Sequence, residues 1–394
     1  MSNIKVLAIE NTTGFGGAEI QLGLLAEGLN NNGIYFHVLS NEKKLKEFLD
    51  EKGVDSTLID FSIYEMSNKK NFIFSFLKWS FYISKFKKIL EKFRDEKGIN
   101  TIYIASFNER IFLSSLIKKM GFKLVWMEHA DLYDWAHSKN PLPMIFYKNA
   151  AEKVDKVISP SSAGRNSVIN DAKVKPDKAI IVLNGIPLVS RDSLKEYRNK
   201  GIEIRAKLNL ENKFLISSLS RLSPEKGQEY LLKAIKNLKD KGFNIYCLIM
   251  GKGPSKKSLV NLCNELNLAE QVNFLGFVSD KEKLAILSAS DVFCFPSVWQ
   301  MEGFGLVSAE TMMMNTPVIA SRVGGIPDVI RDKENGILVE PKNVEQLSDK
   351  IELIYRDIKL RIKLAEKGRE YVEKIFNADR MVRETKKILE EVLD

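Results

Sequence analysis

The sequence predicts an α/β architecture of two doubly wound, parallel-sheet domains. Three observations carry that expectation. Strand-like and helix-like segments alternate from end to end, as parallel sheets covered by helices require. Each half of the chain holds six strand-like segments. A length of 394 residues exceeds one doubly wound domain and suits two of ordinary size.

In the first half the strands fall near Lys5–Glu10, Tyr35–Leu39, Thr101–Ala105, Leu124–Met127, Lys156–Ser159 and Ala179–Leu183. Asn184-Gly185-Ile186-Pro187 is a turn-rich exit from the last of these, which predicts a first domain of residues 1–188. In the second half, residues 189–375, strands fall near Phe214–Leu219, Ile245–Met250, Val272–Leu275, Val292–Phe295, Pro317–Ala320 and Gly336–Val339. Two such domains facing each other would place a deep ligand cleft between the carboxyl ends of their sheets.

Composition is that of an ordinary globular protein, with 44% hydrophobic and 28% charged residues. The formal charge of +9 favours anionic partners without choosing among phosphorylated ligands, anionic lipid and nucleic acid. Cys247, Cys263 and Cys294 match no metal spacing, and Cys247 and Cys294, inside apolar strand-like runs, read as reduced core thiols, which points to the cytoplasm. The first strand, Ile4 to Ile9, is followed by no cleavage site of a signal peptide. The longest apolar candidate for a membrane span, Phe72 to Ile83, is interrupted by Lys78.

The densest chemistry lies between Asp291 and Ser321. Val292 to Phe295 reads as a strand, Glu302-Gly303-Phe304-Gly305-Leu306 as a glycine turn, and the Met-rich segment after Glu310 as a helix ending at Asn315. A strand, a glycine turn and a helix N-terminus make an anion site, because unpaired N–H groups and the helix dipole point outward there. Glu302 and Glu310 add hydroxyl acceptors on either side. A phosphate flanked by hydroxyls suggests a sugar nucleotide.

The other motifs fit that ligand. Arg221 leaves a strand and Lys226 follows at the start of a helix, a fork and a point charge that can clamp a diphosphate. Gly251 in Met250-Gly251-Lys252-Gly253 leaves room for a flat ring, and Val278 in Gly276-Phe277-Val278-Ser279 offers backbone groups to a base edge. In the first half, Gly14-Phe15-Gly16-Gly17-Ala18-Glu19 opens a helix, where glycine permits positive φ and close approach to a phosphate or sugar. A dinucleotide fingerprint needs glycine where Glu19 stands, which weakens a nicotinamide reading. His129 follows a strand at its carboxyl end, the address at which such sheets bind ligands, whereas His37 lies within a strand and reads as core. No Asp-x-Asp pair occurs, so the expectation is a site that uses cations and a helix N-terminus instead of a divalent metal.

Taken together these residues resemble the large retaining glycosyltransferase family 4, with the GT-B fold of two Rossmann-like domains. The resemblance runs from Gly16-Gly17-Ala18-Glu19 through Val157 to Ser161, Asn184-Gly185-Ile186 and Ser220 to Gly227. It continues through Glu302 to Glu310 and Gly324-Gly325-Ile326-Pro327-Asp328. It implies donor binding in the second domain, acceptor binding in the first, and a terminal helix, residues 376–394, crossing back to the first domain. By that match Glu310 takes the ribose, Glu302 takes donor-sugar hydroxyls, and the N–H groups of Phe304, Gly305 and Leu306 face the sugar and phosphates. Arg221 and Lys226 would neutralise the leaving diphosphate, with His129 near the donor sugar. Front-face transfer is favoured over double displacement, because Glu302 reads as a hydroxyl binder and no nucleophilic carboxylate is evident. UDP is the expected nucleotide, with GDP next.

Phe72 to Phe93 is unusual. Phe72, Phe76, Trp79, Ile83, Phe86, Leu90 and Phe93 form a helical seam, and further apolar residues spread beyond it. Lys78, Lys85, Lys87, Lys88 and Lys92 supply charge opposed only by Glu91. A basic aromatic helix over residues 72–94, with Trp79, Lys85, Lys87 and Lys88 at its exposed face, fits an anionic membrane surface and a lipid-linked acceptor. The alternative for this helix is burial against its domain with the lysines reaching to water. The location expected is the cytoplasmic face of the plasma membrane, in surface-glycan assembly. Two other functions remain open: a sugar-nucleotide epimerase of the same fold, and a non-enzymatic basic membrane-binding protein. Nucleic acid is not expected, because the mixture of basic and aromatic residues is confined to one helix.

Overall fold

The computed structural model describes residues 4–12, 14–61, 78–129, 131–138 and 140–394. It forms two compact units, one of Met1–Gly185 with Ala378–Asp394 and one of Ile186–Asn377. Ile186 belongs with the second because its N–H donates to the Phe376 carbonyl at 2.7 Å and it bridges Asn377. The chain therefore changes units a few residues away from the positions expected at 188 and 376.

The first unit is a seven-stranded parallel sheet. Its strands are β1 (Lys5–Glu10), β2 (Tyr35–Ser40), β3 (Ser56–Leu58), β4 (Thr101–Ile104), β5 (Lys123–Met127), β6 (Lys156–Ser159) and β7 (Ala179–Ile181), in the order β3-β2-β1-β4-β5-β6-β7. Alternate side chains of each strand point to opposite faces. Leu7 and Ile9 accordingly pack with Phe86, Leu113 and Trp126, whereas Val6 and Ala8 pack with Leu25, Phe36 and Leu389. The strand order reverses between β1 and β4, which makes their carboxyl ends the expected ligand address. β3 has no counterpart among the strands expected from sequence.

Two helices of this unit bear on function. Trp79–Lys97 ends at Gly98, whose φ of 71° gives the left-handed turn that closes many helices. Of its seam, Phe86, Leu90 and Phe93 are buried in the core beside Tyr82, and Ile83 packs against it, whereas Trp79 is exposed. Phe72 and Phe76 lie outside the described residues. Ala378–Leu393 packs on Gly17–Asn31, where a Cβ at Gly28 would come within 2.3 Å of Val382. Close approach there requires glycine.

The second unit is a six-stranded parallel sheet of β8 (Phe214–Leu219), β9 (Ile245–Met250), β10 (Val272–Gly276), β11 (Val292–Phe295), β12 (Val318–Ser321) and β13 (Ile337–Val339). The order β10-β9-β8-β11-β12-β13 reverses between β8 and β11. Cys247 and Cys294 are buried in its core, and burial pushes both thiols up, which keeps them protonated. Among the described residues no helix is long and apolar enough to cross a membrane.

Candidate active site

The loops after β8 and β11 meet at the reversal of strand order. After β8, Pro224–Lys226 forms one 3-10 turn, and Gly227 follows with φ of 67°. A Cβ at Gly227 would lie 2.0 Å from the Pro296 carbonyl, so glycine is what lets the two loops touch. Val298 N–H donates to the Glu225 carbonyl at 2.9 Å and fixes the contact. The result is an ion pair: Lys226 Nζ donates to Glu302 Oε2 at 2.6 Å, with the two side chains only 14% and 11% exposed. Ser297 Oγ donates to the same carboxylate oxygen at 3.1 Å, and the Lys226 ammonium lies 5.0 Å from the Trp299 ring centre. Such a shielded pair is costly to break one-sidedly, so each group holds the other in place. Arg221 differs. Its side chain is 69% exposed and reaches Glu225 at 3.1 Å.

Beyond Glu302 the chain turns through Gly303 and Phe304. The Phe304 side chain is buried edge-on against Phe376, with ring centres 5.2 Å apart, which anchors the turn from below. Gly305 takes φ of 77° and the helix Leu306–Met313 begins without a side-chain cap. Its first N–H groups are therefore open to a ligand. Ser308 Oγ is buried beside Gly305 and has no hydrogen-bond partner. Open N–H groups, the helix dipole and an unused hydroxyl describe an anion site. Glu310, one turn further on, accepts from Lys283 Nζ at 3.0 Å, and Lys283 also pairs with Asp280 at 3.0 Å. Burial opposes the charge on Lys283, but the two carboxylates outweigh it and raise its pKa. Gly324, with φ of 51°, lies so close to the Glu302 carbonyl that a Cβ would approach it to 2.2 Å, and Gly325 N–H donates to that carbonyl at 2.7 Å.

The exits of β9 and β10 flank β8. Gly251 N–H donates to the Gly276 carbonyl at 2.7 Å, and a Cβ on Gly251 would lie 1.9 Å from the Ser220 carbonyl. The room at Gly251 is filled by that carbonyl, so packing already demands the glycine whether or not a ring lies beyond it. Val278 is half-buried in the following loop, next to the exposed Phe277 ring, which carries the Lys252 ammonium 5.7 Å from its centre.

In the first unit the βα turn differs from expectation. Gly14, Gly16 and Gly17 have no positive φ, and Gly16 N–H donates to Glu19 Oε2 at 2.8 Å. That bond takes the N–H of the residue before the helix; the helix Gly17–Asn31 itself has no side-chain cap, and Glu19 places a carboxylate in its first turn. His129 follows β5 at its carboxyl end. Burial and the nearby Arg110 lower its pKa to about 3, so it acts as a neutral imidazole, and its Nε2 has no partner. Arg110 is itself buried, paired with Glu128 and bonded to the Ala105 and Met127 carbonyls. On the helix Trp79–Lys97, Trp79 is 38% and Phe81 53% exposed. Lys87 and Lys88 are exposed too, while Lys85 lies over the Phe61 and Phe81 rings.

A model of the group 1 glycosyl transferases matches residues 201–371, and a model of glycosyltransferase family 4 matches residues 15–189. The chain belongs to the group 1 glycosyltransferases. This glycosyltransferase is 28% identical over 371 residues to an uncharacterized glycosyltransferase of Methanocaldococcus jannaschii, a match covering 92% of this chain and 95% of that one. It is 30% identical over 230 residues to a second glycosyltransferase of that organism and spans 58% of its length. The Anabaena protein HepE in complex with UDP shares the fold, with a TM-score of 0.81 at 20% identity, covering 98% of this chain and 100% of that one. The fold is GT-B, two Rossmann-like domains.

Three residues of the glycosyltransferase escaped the sequence reading. Ser297 and Lys283 touch the two expected carboxylates, and Ser308 faces the open helix N-terminus. Ser308 sits inside the motif itself, where a hydroxyl between Glu302 and Glu310 is a usable signal. Lys283 is 27 residues from its partner and looks like any other lysine of a basic chain.

Proposed function

We propose that this glycosyltransferase transfers a sugar from a UDP-sugar, with retention of anomeric configuration and without a divalent ion, to a sugar or lipid-linked glycan acceptor. One observation carries the reading: a shielded Lys226–Glu302 pair stands beside the uncapped helix N-terminus at Leu306. As the anomeric bond breaks, negative charge develops on the diphosphate, and preorganised cations and N–H dipoles lower that barrier most. Lys226 and Arg221 supply the cations, while the N–H groups of Phe304, Gly305 and Leu306 with Ser308 Oγ supply the dipoles. Glu310, steadied by Lys283, accepts from the ribose hydroxyls, and Gly251 and Val278 border the base. Glu302 is already held by Lys226 and Ser297, which suits a binder of donor-sugar hydroxyls better than a nucleophile and favours front-face transfer. It is the family resemblance that assigns His129, a neutral imidazole of the first unit, to the donor sugar.

The nucleotide assignment leans on the Anabaena neighbour solved with UDP. Exposed Trp79 and Phe81, with Lys85, Lys87 and Lys88 around them, support contact with an anionic membrane surface. We infer from this a location on the cytoplasmic face of the plasma membrane and a role in polysaccharide, lipopolysaccharide or related glycan assembly.

The test is a thermal-shift and hydrolysis panel of UDP- and GDP-sugars with and without EDTA, with NAD as control. Stabilisation by a UDP-sugar that survives EDTA is expected, followed by transfer with the donor's anomeric configuration kept. A response to NAD alone, or silence across the panel, overturns the reading. Epimerised donor without transfer would assign the chain to the epimerases of this fold.

A further inference from the structure

The carboxyl ends of β1, β4 and β5 in the first unit carry a polar cluster of which the donor reading uses only His129. Glu10 closes β1 and is 6% exposed, and its Oε2 has no hydrogen-bond partner. The next residue, Asn11, donates from Nδ2 to Glu109 Oε1 at 2.7 Å, which fixes the amide and turns its Oδ1 away from that bond, without a partner. Ser106, at the exit of β4, is 6% exposed with an unpartnered Oγ. His129 Nε2, after β5, is the fourth such atom. Unpaired buried polar atoms are rare and costly, about 1–3 kcal/mol each. Four of them lie at the carboxyl ends of neighbouring strands, around the reversal of strand order.

Charge defines which ligand these atoms suit. Glu19, Glu109 and Glu128 are buried around the cluster, and Arg110 is the cation among them, its two terminal nitrogens committed to Glu128 and two carbonyls and its Nε without a partner. Burial, then Glu19 and Glu109, push Glu10 well above the usual carboxylate range, although Arg110 pulls the other way. A protonated Glu10 both donates and accepts. An anion here would meet the carboxylates of Glu19, Glu109 and Glu128 against the Arg110 guanidinium, which is already paired with Glu128.

We propose that Glu10, Asn11 and Ser106 form a subsite for the hydroxyls of an uncharged sugar, and that the acceptor of this enzyme is neutral at the end that enters it. The inference rests on the transferase reading and adds the chemical class of the acceptor. It sets Glu10 and Asn11 as specificity-determining residues, because a phosphorylated or uronic sugar would have to displace fixed carboxylates.

The test uses the full chain saturated with UDP and ligand-observed saturation-transfer NMR. The probes are methyl glycosides of glucose, galactose, mannose and N-acetylglucosamine, set against glucose 6-phosphate, glucuronate and glucosamine. Binding of at least one neutral glycoside is expected, with the anionic sugars weaker by roughly tenfold or more, about one or two hydrogen bonds' worth. Glu10→Gln, which keeps a neutral donor and acceptor, should retain that binding, whereas Glu10→Ala and Asn11→Ala should lose it with UDP affinity unchanged. Melting temperatures separate a lost contact from a lost fold. Equal or better binding of an anionic sugar, a preference for glucosamine, or no neutral glycoside bound by a protein that binds UDP each overturns the inference. Absence of both UDP and GDP binding sinks the transferase reading itself, and this inference with it.

Discussion

Lys226 is the residue on which most of the donor chemistry turns. Its ammonium is shielded, paired with Glu302 and placed over Trp299, so no side-chain reorganisation is needed to bring the charge into position. Lys226→Ala should lower kcat by about a hundredfold to a thousandfold, the usual cost of a group that stabilises developing charge. UDP binding should suffer far less, and a loss confined to KM for the donor would reassign Lys226 to ground-state binding. Two histidines, His37 buried and His129 half-buried, set a different behaviour. Burial lowers His37 to about 4 and, with Arg110, His129 to about 3, whereas an unfolded histidine titrates near 6.5. Above that value both states are neutral and pH has no leverage. Below it the unfolded chain takes protons that the folded chain refuses, so stability falls as pH drops from about 6.5 toward 4 and then 3. Denaturant midpoints between pH 7 and 5 should shift downward, and His37→Asn should flatten the trend. An unchanged slope in that variant would place the acid sensitivity elsewhere.

At the scale of elements, the anion site is a helix start with one unusual feature. Ser308 Oγ makes no hydrogen bond in the free protein, so Ser308→Ala should leave the melting temperature level or higher. The same variant should weaken UDP binding by roughly fivefold to tenfold, the value of one hydrogen bond. Titration calorimetry on both proteins checks it, and equal affinities would remove Ser308 from the site. The helix was legible because Gly303, Gly305 and the two glutamates stand between an apolar strand and a Met-rich run. β3 was not, because Ser56, Thr57 and Leu58 are a three-residue edge strand without an apolar run. The seam of Trp79–Lys97 was legible as helical, but periodicity cannot tell a membrane-facing stripe from a core-facing one. Burial of Tyr82, Phe86, Leu90 and Phe93 assigns that stripe to the core and leaves Trp79 and Phe81 as its exposed aromatics. The cluster around Arg110 was the least legible, since its members come from three strand ends and no spacing in the chain announces them.

For the whole molecule, the decisive fact is that the first unit is discontinuous. Its last helix, Ala378–Leu393, arrives after the entire second unit has been traversed. Met381, Val382, Ile388, Leu389 and Val392 are buried in the same core as Val6, Leu25 and Phe36, and Arg380 donates to the Leu183 carbonyl at 2.6 Å. Burying an apolar side chain of this size contributes roughly 1.5–3 kcal/mol. Five of them amount to about 7–15 kcal/mol, as large as the net stability of a typical domain. A chain cut after Asn377 should therefore lose the first unit's fold. The second unit keeps its own core and the residues proposed to hold the nucleotide, so hydrogen exchange on the truncated protein should show UDP protecting the segments around Ser220–Gly227 and Glu302–Glu310. Gly28→Val asks the same question without removing any residue. Its side chain would collide with Val382, lowering the first unit's protection while leaving UDP protection of the second unchanged. Loss of UDP protection in both variants would mean that the donor site draws on the first unit for more than the acceptor.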